Sequence, residues 1–472
     1  MINFTMLKKT FVLGSIFLFL LIELSCKKEE IIEDCTDCRT FIPASSQRTG
    51  DAEKGKNYLS YGDFVDSGIP SDLFNSTLGL FLGKDNSLQR TGINQDLNFA
   101  YTRFINKDGV DLIAPNCYQC HAGYVDGKFM IGLGNTFADF TGNQAAFAGI
   151  LDQAVAARYG QNSKEMTAYA PFSRAVKVLG DKLSTQTVGS NSADKLALVL
   201  AAHRKQDDLT WQETPSFAIP QSVYPVDVPA WWLLKKKNAM FHTAEGRGDF
   251  ARLMMASSLL TLQDTVKARS VDQNFKDVLA YLLTLTPPKY TGTIDQSLAS
   301  TGKTLFLKNC AKCHGENEGP NSYPNFLVSQ KEVGTDPSVI EFYKNNQAFT
   351  TWYNGSWFSK NPFGANLTPG DGYVAPPLDG IWASAPYFHN GSVPTLADIL
   401  NSKNRPVYWQ KANNPNNYDH QKMGLKYEVT TAKTDPYTFD TTIKGYSNQG
   451  HTYGDILNSN EKLAIIEYLK TL

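Results

Sequence analysis

The chain has almost no net charge. Its 45 Lys+Arg residues against 46 Asp+Glu leave −1 over 472 residues, which removes any global electrostatic reason to bind nucleic acid. It also lacks the composition of a disordered or fibrous chain: 42% of its residues are hydrophobic, 12% aromatic and 19% charged, as in folded proteins. The length suits two or three domains. Residues 11–22 form its long apolar run, and that run is too short to span a bilayer comfortably. Histidine and cysteine are scarce, seven of each, yet most of them fall into patterns.

Lys8 and Lys9 followed by the apolar run predict a cleaved export signal. The run ends at Leu24-Ser25-Cys26, which resembles a bacterial lipoprotein cleavage site with Cys26 as the lipidated residue. The alternative is ordinary secretion with Cys26 inside the removed peptide. Cys26-Lys27-Lys28-Glu29-Glu30 also resembles a surface-export tag. The expectation is a periplasmic or cell-surface lipoprotein of a Gram-negative bacterium, held to the membrane by its lipid. Outside the cytoplasm free thiols tend to pair. The six other cysteines form three C-x-x-C pairs, and Cys35/Cys38, in a polar stretch, is expected to close a local disulfide.

The other two pairs are each followed by histidine: Cys117-Tyr118-Gln119-Cys120-His121 and Cys310-Ala311-Lys312-Cys313-His314. C-x-x-C-H is the attachment pattern of c-type haem. Two thiols add across the two vinyl groups, the two intervening residues let one helical turn present both sulfurs, and the adjacent imidazole binds iron from beneath. A zinc site would need a second C-x-x-C or paired histidines close by. The motifs therefore predict two covalently bound haem c groups, haem one on His121 and haem two on His314. The occupant of each sixth coordination position separates an electron carrier from an enzyme.

Helical periodicity places the motifs. Ser270 and Gln273 form a capping-box pattern before Phe275, Val278, Leu279 and Leu282. Asn458 and Glu461 do the same before Leu463, Ile466 and Leu469. Tyr281-Leu282 and Tyr468-Leu469 occupy matching places, a weak internal repeat. Further helices are expected over residues 144–159, 163–179, 192–204, 249–264 and 298–309. Residues 321–450, rich in Pro, Gly, Asn and aromatics, read as long ordered loops. The expected fold is mainly α: two cytochrome c-like haem modules with long ordered loops. Its divisions are a signal peptide (1–25), a tether (26–50), an N-terminal haem domain (51–290) and a C-terminal cytochrome c domain (291–472). His203 reads as a surface or boundary histidine, and His420 as solvated. Trp231 and Trp232, which follow Pro229 between the modules, either carry an electron between the irons or pack the core.

The run from Ala375-Pro376-Pro377 through Ala385-Pro386-Tyr387-Phe388-His389-Asn390-Gly391-Ser392 resembles the "APYxHxGS" segment of bacterial di-haem cytochrome c peroxidases. With Val393-Pro394-Thr395-Leu396, Arg405-Pro406 and Gly450-His451-Thr452-Tyr453-Gly454 it looks most like the rubber-oxygenase-like branch of that superfamily. The resemblance covers most of residues 290–472. In the first half it rests on residues 226–232 and 246–249, and residues 45–110 match nothing. It implies electron entry at one haem and chemistry at the other. By the same resemblance His451 looks like the sixth ligand of haem two, so His389 is expected to support that haem without ligating it; the competing assignment gives the iron to His389. Haem one is the expected reactive centre, with its sixth position open or weakly held. His242, Met254 and Met255 are the candidates to close it, although methionines on a helix with Leu253, Leu259 and Leu260 ordinarily fill a core. Three functions follow: peroxidase-like chemistry at haem one, dioxygen cleavage of an apolar substrate, or electron transfer with both irons six-coordinate. Each requires a redox partner protein or a small electron donor or acceptor.

Overall fold

Two sets of three helices repeat one design. The first set is α1 (Ala52–Tyr61), α2 (Tyr118–His121) and α3 (Thr265–Thr284). The second is α4 (Gln296–Asn309), α5 (Ala311–His314) and α6 (Ser459–Leu469). These come from a computed structural model that describes residues 38–472 apart from 261, 317, 318, 320, 321, 361 and 415. Residues 1–25, the expected signal segment, and Cys26 and Cys35 lie outside the described residues. Cys38 is disulfide-bonded.

In each set the opening helix crosses the closing helix at a glycine. A Cβ added at Gly55 would collide with the Asp277 carbonyl on α3, and one added at Gly302 with the Ala464 carbonyl on α6. Only a residue without a Cβ lets the two backbones approach this closely. Four residues beyond each crossing stand Tyr281 and Tyr468, the aromatic positions of the internal repeat. Asp51 caps α1, accepting from Glu53 N and Lys54 N at 3.0 and 3.1 Å. The first set thus contains an opening helix in a stretch where the sequence showed no match.

Helix ends follow local chemistry in most places. Asn458 and Glu461 form the capping box on α6. The box expected at Ser270 does not form. Asp264 caps α3 through Val266 N and Lys267 N, and buried Ala268 and Val271 extend its apolar face upstream. Helices Gln144–Tyr159, Lys164–Leu179 and Ala193–Ala202 stand where periodicity puts them. The segment capped by Asp249 is α-helical only over Phe250–Met255 and continues as a 3-10 turn.

The mainly-α expectation is corrected to a mixed fold, 40% helix and 14% strand. Six small sheets of two or three strands pin the loops among the described residues. Strand Phe326–Ser329 pairs with Gly372–Val374 on one side and Arg39–Phe41 on the other. Strand Tyr408–Lys411 lies between Tyr427–Val429 and Thr438–Asp440. Residues 39–50, read from sequence as part of the tether, are built into the fold. Ile42 is buried, and the Arg48 guanidinium bridges Asp249 and Asp272 at 2.8 and 2.7 Å. Residues 39–472 form one compact unit.

The two main cores ignore the sequence boundary near residue 290. Phe342, Trp352, Tyr353 and Phe358 enter the core built on Phe275, Val278 and Leu282. Leu133, Trp232 and Leu233 enter the other, with Phe306, Trp382 and Ile465. Neither half of the chain closes its core alone.

Candidate functional site

The second C-x-x-C-H continues from α4. Cys310 N bonds Phe306 O at 2.8 Å and His314 N bonds Cys310 O at 3.1 Å, so one tight turn carries both thiols and the imidazole. His314 Nδ1 lies 2.9 Å from Pro376 O. A carbonyl only accepts, so Nδ1 carries the proton and Nε2 keeps its lone pair for a metal. The Tyr323 hydroxyl donates to the neighbouring Ala375 O at 2.5 Å and steadies that segment.

Facing His314 is His451, with ring centroids 6.2 Å apart. Its loop is held in an uncommon shape. His451 has φ +45 and the preceding Gly450 φ +76, and a Cβ at Gly450 would strike Gly334. Arg405 fixes this turn by donating to the carbonyls of Asn448, Gly450 and His451 at 2.7, 2.7 and 3.1 Å, while its guanidinium covers the Phe388 ring at 4.9 Å. His451 N donates to Val333 O at 2.7 Å. Burial pulls the His451 pKa down to about 3, with His314 and Arg405 adding to the effect. Its Nδ1 is buried without a hydrogen-bond partner among the described residues.

The pair fits an iron between the rings. Metal–imidazole bonds of about 2 Å on either side, plus the distance from each nitrogen to its ring centre, put opposed centroids roughly 6 Å apart. The space beside them is a cavity of about 260 Å³, lined by Cys310, Cys313, His314 and His451 and walled by apolar side chains that include Leu233, Phe306, Ile381 and Leu469.

A polar group lines the same cavity: Asp227, Lys237, His242 and His389. His242 Nε2 meets Asp227 O at 2.9 Å, and Asp227 N donates to His389 O at 2.6 Å. The two imidazoles stand 6.1 Å apart, and His389 stacks on Tyr373 at 4.0 Å. Burial lowers the His242 pKa to about 4 and holds that of His389 well below the ordinary imidazole value. His242 was a sequence candidate to close haem one. The structure places it instead in the cavity of the second motif, because Asp227 and the extended segment before Ala375 hold it there (Val374 N donates to His242 O at 2.8 Å).

The first motif sits inside the first core. Asn116 Nδ2 donates to Phe99 O and Thr102 Oγ1, fixing the entry to α2, and His121 N bonds Cys117 O at 3.0 Å. Asn135 holds the far side through Cys120 O and Gln119 O, both at 2.9 Å. Trp231 stacks on the His121 imidazole, centroids 4.5 Å apart and planes 17° from parallel. Trp232 turns the other way, into the second core, and donates from Nε1 to Asp379 O at 2.9 Å. His121 Nδ1 is buried without a partner among the described residues, and burial pulls its pKa to about 3. Burial pushes the Cys117 and Cys120 thiols up to about 12 and about 11. All four motif cysteines are free of disulfides. Donor set and orphaned imidazole suit covalent haem here as well. Met255 is fully buried in the first core and Met254 half-buried against it.

His203 is buried, stacked on Trp211 and bonded to Gln212 O at 3.1 Å. That corrects its surface reading; its turn folds back over the ring. His420 is part-exposed, between the Tyr290 hydroxyl and Asp126. Sequence reasoning passed over Asn116, Asn135, Lys237 and the reach of Arg405. Asn116 stands directly before the first cysteine, a signal that could have drawn attention to it.

With this geometry established, known proteins add the class. Residues 299–372 match the cytochrome c family, and residues 372–410 match a family described as RoxA-like, cytochrome c-like. Cytochrome c domains are therefore present, with covalently bound haem c as their cofactor and electron transfer as their general role. Two uncharacterized proteins of Sinorhizobium fredii are similar to this chain. One, y4iM, is 27% identical over 317 residues, 57% of this chain and 69% of its own length. The other, y4iJ, is 28% identical over 258 residues, 40% of this chain and 41% of its own length. The chain thus spans less than half of the second relative.

Proposed function

We propose that this chain is an exported two-haem redox protein, anchored through Cys26, in which haem two relays electrons and haem one performs peroxidase-like chemistry. The observation that carries the proposal is the His314–His451 pair, whose rings stand 6.2 Å apart across a cavity lined by Cys310 and Cys313. An iron held by imidazole on both faces has no position for a substrate and serves as an electron carrier. At the first site, Trp231 covers His121, and His242 is committed to Asp227 O in the other cavity. On this reading His242 serves the second cavity and does not close haem one. Bound haem supplies one-electron redox chemistry, and peroxide or dioxygen chemistry where a coordination position is free.

The protein's own residues supply geometry. His121 and His314 orient the rings, Arg405 holds the His451 turn, and Trp231 offers a conjugated path toward the His121 side. Electrons come from a redox partner protein or small donor. The RoxA-like match over residues 372–410 favours a second reading, oxygenase cleavage of an apolar substrate.

Carbon monoxide and cyanide binding to the purified holoprotein tests both readings. One haem should bind ligand rapidly while the other keeps a low-spin spectrum, and His451→Ala should open the second. Two low-spin irons that refuse ligand in both oxidation states would leave a pure electron carrier. Hydrogen peroxide turnover without oxygen consumption separates peroxidase from oxygenase.

A further inference from the structure

Three consecutive lysines, Lys235, Lys236 and Lys237, follow the paired tryptophans, and they meet different fates. Lys235 is exposed and reaches Leu285 O at 3.2 Å. Lys236 pairs with Asp379 at 2.8 Å. Lys237 turns inward and lines the cavity that holds His314 and His451. Among the described residues its ammonium makes no hydrogen bond or ion pair, although its backbone N–H is anchored on Leu234 O at 3.1 Å. An ammonium facing into a largely apolar cavity without a paired counter-charge is unfavourable, and structures retain such a group where something binds it.

Nothing else at the cavity wall answers it. Glu245 is the acid that acts on it electrostatically. The Glu245 carboxyl already accepts from Thr243 N and Thr243 Oγ1 at 3.0 and 2.8 Å, and burial favours its protonated form. Asp379 belongs to Lys236. Burial also raises the Asp227 pKa well above the ordinary carboxylate value, which weakens it as an opposing charge.

We propose that the Lys237 ammonium pairs with a propionate carboxylate of haem two and raises that haem's reduction potential. The inference rests on the reading that haem two occupies this cavity. Thioether attachment at Cys310 and Cys313 would fix the vinyl-bearing edge of the macrocycle, and its two carboxylates, carried on the opposite edge, would then face the part of the cavity away from those cysteines. Lys312, the other lysine on the lining, belongs to the motif itself, is exposed and lies over Tyr453. That leaves Lys237 as the cavity-lining cation for the carboxylates. A cation paired there disfavours the extra positive charge of the ferric state, so removing it makes the haem harder to reduce.

The test is a spectroelectrochemical titration of the holoprotein that follows the low-spin haem. Lys237→Gln should shift its reduction equilibrium about tenfold toward the oxidised form, about 59 mV for one electron. Lys237→Arg should stay near wild type, and Lys235→Gln, outside the cavity, should not move it. A wild-type potential in Lys237→Gln, with the low-spin haem intact, overturns the pairing. Should Lys237→Gln not mature, resonance Raman spectra of Lys237→Arg decide: the propionate bending mode shifts if residue 237 touches a carboxylate, and an unshifted mode overturns the proposal. A wild-type protein without a low-spin haem on Cys310 and Cys313 would refute the underlying reading separately.

Discussion

Gly302→Ala puts the packing argument at its sharpest. In an exposed helix this change stabilises by about 1 kcal/mol, because alanine loses less backbone entropy than glycine. At residue 302 the sign should reverse. The new Cβ would stand within 3.0 Å of Ala464 O, Ala464 C and Ile465 N, all backbone atoms of α6. No rotamer change relieves that, so α4 and α6 must move apart by about 1 Å, and the surrounding contacts lose part of their dispersion energy. Over-packing of this kind costs about 1–3 kcal/mol. Set against the propensity gain of about 1 kcal/mol, a net loss of up to about 2 kcal/mol is expected. Gly149→Ala is the matched control. It lies inside helix Gln144–Tyr159 with nothing within 4 Å of an added Cβ, and should gain about 0.5–1 kcal/mol. Urea unfolding followed by circular dichroism and by the haem absorption band measures both. A Gly302→Ala midpoint equal to or above wild type would refute the close-crossing argument, whatever Gly149→Ala does.

Intact mass of the denatured protein should show two haem additions, Cys117→Ser/Cys120→Ser should lose one, and a single addition in the wild type would remove haem one. Trp231→Phe should slow electron movement between the haems after flash reduction, since Trp231 is the residue stacked on His121. Trp232→Phe should instead cost about 1 kcal/mol of stability through the lost bond to Asp379 O; equal transfer rates in the wild type and Trp231→Phe would leave packing alone. Glu245 is a buried acid and Asp194 a half-buried one near Tyr343, whose hydroxyl donates to Asp194 at 2.9 Å, and desolvation raises both pKa values. The folded state then binds more protons than the unfolded chain between about pH 4.5 and about pH 8, so stability should fall as pH rises through that window and level off above it, and Glu245→Gln should flatten the slope. A slope unchanged in that variant contradicts the assignment.

What the sequence exposes is the chemistry that local spacing dictates. Covalent haem attachment needs two thiols and an imidazole on one turn, and the turn can be read without knowing the fold. The α6 capping box is equally local. By contrast, α1 escapes notice because only Gly55 and Leu59 are buried along it, too few to show a period of 3.6. The strands escape because they are two to five residues long and take their partners from distant loops, as Arg39–Phe41 does from Phe326–Ser329. His242 and His389 meet across 147 positions, and nothing near either residue signals the other. Lys237 sits in a run of three lysines that reads as a solvated charge cluster; only the cavity distinguishes it from its neighbours.

His451 shows how the two kinds of information join. A resemblance can nominate this histidine, but the reason it faces His314 is physical. Non-glycine residues seldom adopt positive φ, and His451 does so at +45 while Arg405 fills the carbonyls of three residues in its turn. Such a conformation persists when the surroundings over-determine it, and outliers of this kind cluster where function needs a side chain aimed. Arg405 and Gly450 therefore belong to the site although neither touches the position of the iron. The resemblance contains both residues as bare letters. Only the structure shows that they are what holds the imidazole in place.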